Sequence, residues 1–101
     1  MKGLNKMTKK LVVNDTFYRI ILTDHIIKRM QERSINPAYI ADGLNTYLAS
    51  TNDKKHRYVM VEVAKKGISL LLNICKNNIK LITVINKVNC YVKSDTIKVI
   101  I

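Results

Sequence analysis

Residues 23–33, Thr-Asp-His-Ile-Ile-Lys-Arg-Met-Gln-Glu-Arg, place an imidazole, two guanidiniums and a carboxylate at intervals of three and four. At about 100° per helical residue, His25, Arg29, Glu32 and Arg33 share a stripe about 100° wide that borders Ile26 and Met30. Such a set suits metal-free RNA cleavage. The 2′-hydroxyl attacks the adjacent phosphorus, a base removes its proton, an acid protonates the leaving oxygen, and cations stabilise the charge that develops. Imidazole is the side chain best suited to acid or base work near neutral pH. The forks of Arg29 and Arg33 match phosphate oxygens in pairs. The competing reading is structural: Arg29 and Glu32 pair along the helix and His25 only packs.

The whole chain favours anionic partners. Eighteen Lys and Arg face seven Asp and Glu over 101 residues, a formal net charge of +11. Solubility alone asks for a charge of about 2–8 in a small domain; a larger field steers phosphate backbones toward the surface. Fourteen of the basic residues are Lys, and the abundance of Lys, Asn and Ile has the look of an AT-rich coding bias. Against that background Arg19, Arg29, Arg33 and Arg57 are the informative cations. Lys54, Lys55, Arg57 and Tyr58 form a second candidate nucleic-acid-binding cluster, in which a strand-borne Tyr58 stacks a base; the alternative is a Tyr58 packed against the helices. Cys75 and Cys90, even with His25 and His56, match no standard zinc spacing. No metal or other cofactor is expected, and both cysteines read as packed, reduced thiols. The basic start lacks a long apolar stretch, and the longest apolar run, 68–74, is far too short to span a bilayer. The expectation is a cytoplasmic protein with no membrane partner.

These residues need elements to hold them. Residues 1–10 read as a flexible basic arm and 11–101 as one α+β domain, since this length holds a single core. An N-terminal strand region covers 11–13 and 17–22, with Asn14-Asp15 as a turn or bulge. Thr23 caps a helix over 24–33, and Asn36-Pro37 starts a second, with Ile40, Leu44 and Tyr47 on its apolar stripe. Gly43 in that helix marks close packing. After a charged loop at 51–55 come strands at 56–64, 68–75 and 79–86, joined by short turns, with 97–101 as a candidate last strand. The predicted fold is α+β: an N-terminal strand, two helices, then a three- or four-stranded antiparallel meander, with the helices packed on one face of the sheet.

The string His25-x-x-x-Arg29-Met30-x-x-Arg33-x-Ile35 resembles a family of short bacterial and phage domains grouped with the barnase–EndoU–colicin–RelE superfamily of small ribonuclease toxins. The likeness is strongest over residues 18–45 and extends weakly to the strand at 80–85. It implies that His25, Arg29 and Arg33 are catalytic and that Arg57 and Thr83 contribute from the sheet. It also implies an RNA substrate and an acidic cognate inhibitor protein. The chain departs from a toxin in having no second clearly placed histidine, since His56 lies at a strand start. Two other readings stand beside the ribonuclease. One is a non-catalytic basic binder of nucleic acid or ribonucleoprotein, such as a phage or mobile-element inhibitor of a host defence complex. The other is a regulatory or structural protein whose charge is incidental.

Overall fold

A computed structural model describes the backbone of residues 6–50 and 57–101. Strands β1 (Lys6–Val13) and β2 (Thr16–Thr23) pair antiparallel along their full length. Asn14 and Asp15 turn the chain between them at φ of 50° and 63°. Two successive positive φ values suit a tight two-residue hairpin, and Asn and Asp are the non-glycine residues that tolerate them best.

Helix α1 (Asp24–Glu32) begins where the Thr23 hydroxyl accepts the Ile26 N–H at 3.3 Å. Its end is tied down twice: the Arg33 N–H donates to the Arg29 carbonyl at 3.0 Å, and the Ile35 N–H to that of Met30 at 2.9 Å. Between them Ser34 reverses the chain at φ 54°. Asn36 then caps α2 (Pro37–Ser50), its side-chain oxygen accepting the Ala38 N–H at 2.9 Å. Pro37 loses nothing at the first helical position, where an N–H has no helical acceptor.

Strands β3 (Tyr58–Val63), β4 (Ile68–Cys75), β5 (Asn78–Ile85) and β6 (Thr96–Ile100) complete one six-stranded sheet in the order β1-β2-β5-β4-β3-β6. The predicted architecture is corrected here. The sheet is mixed: β2 runs parallel to β5, and β3 parallel to β6, around the antiparallel run β3-β4-β5. The single N-terminal strand is a hairpin, and Lys6 to Lys10, read as part of a flexible arm, belong to β1; residues 1–5 lie outside the described residues. The turn at Asn14-Asp15 stands where the sequence placed a turn or bulge, but the extension of β1 through Lys6–Lys10 is hidden because β1 is an edge strand. Its Thr8, Lys10 and Val12 are exposed, and lysines on a strand that must not recruit another mask the alternation that reveals a buried one.

Both helices lie on one face. Helix α1 packs on β2 and β5, and α2 on β1 and β3. Ile26, Met30, Ile40 and Leu44 meet Leu70, Leu72 and Ile74 in a single core, with Tyr18, Ile20, Val61, Ile79 and Leu81. Gly43 sits where α2 crosses the sheet: a Cβ there would stand 2.8 Å from Val63 Cγ2 and 3.3 Å from Leu70 Cδ1.

The helix-free face is set by the other parity. One row across it reads Thr8, Ile21, Lys80, Asn73, Tyr58 and Thr96, one residue from each strand. Parallel neighbours need a crossover, because the chain must return to the end from which it started. The β5-to-β6 connection, residues 86–95, makes that return across this face. The Ser69 hydroxyl donates to the Lys87 carbonyl at 2.8 Å, and the Asn89 N–H donates to Glu62 Oε1 at 2.8 Å. Cys90, within the crossover, is buried against the sheet, its sulfur 3.7 Å from Ser69 Oγ. Cys75 is exposed, contrary to the packed position expected of it.

Candidate nucleic-acid interface

The His/Arg stripe divides in two. His25 and Arg29 stand exposed on successive turns of α1. Arg33, at the helix C-cap, is half-buried, and its guanidinium donates to the Val84 carbonyl on β5 at 2.5 Å. It thereby fastens the end of α1 to the sheet. Among the described residues no ion pair joins Glu32 to Arg29 or Arg33. The Arg29–Glu32 pairing of the structural reading is therefore not formed among the described residues.

The sheet candidates lie elsewhere. Tyr58 and Thr83 line one cavity of about 630 Å³ on the helix-free face, between the sheet and the 86–95 crossover. Tyr58 therefore packs neither on α1 nor on α2. The fold sets Tyr58 and Thr83 against the opposite side of the sheet from the helix on which His25, Arg29 and Arg33 sit, so the two groups do not form one site. Arg57, just before β3, is exposed, and its carbonyl accepts the Ile74 N–H at 2.7 Å. Lys54, Lys55 and His56 lie outside the described residues.

Several further groups join the helix-free face, and of these only Arg19 stands out from the sequence alone. Lys10 and Arg19 are paired neighbours on β1 and β2, and Val12 and Phe17 are the next pair along. Lys10 Nζ stands 5.8 Å from the centre of the Phe17 ring, which is itself exposed. Lys80 on β5 continues the cationic surface beside Ile21. Tyr91, on the crossover, is 91% exposed and contributes to the cavity wall. The available signal was the alternation Lys10-x-Val12 and Phe17-x-Arg19 on either side of a two-residue turn, which places all four on one face once the hairpin is recognised.

The electrostatics of the described surface are one-sided. The ion pair among the described residues is Lys98 with the buried Glu62, at 3.5 Å. Lys9, Arg19, Lys28 and Arg29 are exposed and have no acidic partner among the described residues. Cations in this state attract phosphate oxygens, and exposed aromatic rings next to them offer stacking surfaces. Among the described residues no group of three His, Cys, Asp or Glu side chains is placed to hold a metal ion, and no helix is long and apolar enough to cross a membrane. No protein-family model matches the chain, and no curated protein or solved structure is significantly similar to it.

Proposed function

We propose that this protein binds nucleic acid, RNA foremost, through a cationic surface and without cleaving it. The observation that carries the proposal is the set of exposed, unneutralised cations, Lys9, Arg19, Lys28 and Arg29, on a chain of net charge +11. A cation without an acidic partner releases a condensed counterion from nucleic acid for each phosphate it meets, which is the main source of sequence-independent affinity. The test is fluorescence anisotropy of a labelled RNA oligonucleotide over a salt series. The expected result is binding at low salt that weakens steeply as salt rises. Absence of binding at low salt, or indifference to salt, overturns the proposal.

A second reading, a small ribonuclease of toxin type, is favoured by one specific observation. His25 and Arg29 are exposed one turn apart on α1, and they carry the motif that resembles the ribonuclease toxins. In that reading His25 exchanges the proton and Arg29 clamps the phosphate, while Arg33 holds the helix end in place. Incubation with total RNA, with and without EDTA, separates the two readings. Cleavage that persists in EDTA and disappears in both His25→Ala and Arg29→Ala establishes the enzyme; intact RNA under conditions of full binding establishes the binder.

A further inference from the structure

The cavity under the 86–95 crossover has a composition that a backbone-binding surface does not require. Its lining is predominantly apolar, yet it includes two tyrosines, Tyr58 and Tyr91, and the hydroxyl-bearing Thr83 and Thr96 together with Asp95. Thr96 Oγ1 lies 3.3 Å from Asp95 Oδ1, so a carboxylate and a hydroxyl are held side by side. At about 630 Å³ it lies within the range, about 300–1,000 Å³, of small-molecule binding sites. Two cations flank it: Lys93 is part of the lining, and Lys80 stands in the same cross-strand row as Tyr58.

From this arrangement we infer that the cavity accepts an unstacked nucleobase, so that the ligand of the basic surface is single-stranded nucleic acid. The inference rests on the reading of the protein as a nucleic-acid binder and specifies which form it takes. Rings stack on a base whatever its identity, because every base has a π-face. Hydroxyl and carboxylate groups serve the base edge, where amino groups donate, whereas a carboxylate would repel a phosphate. The flanking lysines then follow the backbone at the mouth. A duplex cannot use such a cavity, since its bases are stacked and paired. The topology explains why the cavity exists. The parallel pairing of β3 with β6 forces the chain across the helix-free face, and ten irregular residues cover it at the Ser69 and Glu62 end while leaving the Tyr58 end open.

The experiment compares a labelled single-stranded RNA oligonucleotide with a duplex RNA of the same length, using wild-type protein and the Tyr91→Ala, Tyr58→Ala and Tyr58→Phe variants. Tyr91 is almost fully exposed, so its removal leaves the core intact and decides the matter even if Tyr58→Ala fails to fold. The expected result is tighter binding of the single strand, weakened about 5- to 100-fold by Tyr91→Ala. Duplex binding stays unchanged, and Tyr58→Phe keeps wild-type affinity. Equal affinity for the two RNAs, or a Tyr91→Ala variant that binds the single strand as wild type does, overturns the base cavity while leaving the basic surface standing. Failure to bind either RNA at low salt instead overturns the broader reading.

Discussion

Arg29 and Arg33 are one turn apart and chemically identical, yet their surroundings give them different work. Arg33 donates to the Val84 carbonyl from a half-buried position; Arg29 is exposed and meets no acid among the described residues. A hydrogen bond from a charged donor to a part-buried carbonyl contributes about 1.5–3 kcal/mol. Arg33→Ala is therefore expected to lower the free energy of unfolding by about that amount, with RNA affinity at a permissive temperature reduced little. Arg29→Ala is expected to leave the denaturation midpoint unchanged and to weaken RNA binding, with a shallower dependence on salt. Urea titrations and anisotropy on both variants check the pair. Equal behaviour of the two arginines in both measurements would falsify the division of roles.

At the scale of elements, two contacts decide how the layers sit. Gly43 lets α2 approach the sheet so closely that a methyl group would press on Val63 Cγ2 and Leu70 Cδ1. Gly43→Ala gains about 1 kcal/mol of helix propensity. It introduces overpacking worth about 1–3 kcal/mol against a β-branched side chain that cannot swing away. The expected net result is a loss of about 1 kcal/mol, a fall in Tm of about 4–8 °C, read by calorimetry; a rise in Tm would show that the helix simply lifts away. On the other face the buried carboxylate of Glu62 holds the crossover by accepting the Asn89 N–H, with Lys98 as its counter-charge. Glu62→Leu leaves that amide without its acceptor, at a cost of about 1–3 kcal/mol. Amide exchange at Asn89 should accelerate far more than exchange at Leu72 in the centre of the sheet, whereas Glu62→Gln, which keeps an acceptor oxygen, should protect it.

For the molecule as a whole, the sheet separates two basic surfaces. Helix α1 carries Lys28 and Arg29 on one side, and β1, β2 and β5 carry Lys10, Arg19 and Lys80 on the other. The salt series measures how many of these a single RNA engages, because each phosphate neutralised on a single strand contributes about −0.7 to the slope of log K against log salt. Since Arg29 is among the expected contacts, Lys28→Ala should likewise reduce the slope by roughly one phosphate's share; a further reduction by Lys10→Ala and Lys80→Ala on the opposite face means that one RNA wraps both. A slope reduced by variants on both faces, with two RNAs bound per protein, would instead assign a site to each.

How much of this was legible without coordinates follows from the range of the interactions involved. Thr23 and Asn36 announce the helix starts because a cap is satisfied within three residues. The apolar stripe of Ile26 and Met30, and the nearly continuous apolar run of Ile68–Cys75, announce burial because periodicity is local. The net charge is a property of composition alone. The strand order is not local. That β2 lies beside β5, and β3 beside β6, rests on hydrogen bonds between segments far apart in the chain, and no short window of residues encodes such a choice. The helix stripe shows the same limit: spacing put His25, Arg29 and Arg33 on one side of α1, but only the position of β5 beneath its end turned Arg33 inward to Val84. Tyr58 and Thr83, distant in sequence, share a cavity with Tyr91 because the crossover demanded by a parallel strand pair had to pass over one face, and the helices already filled the other.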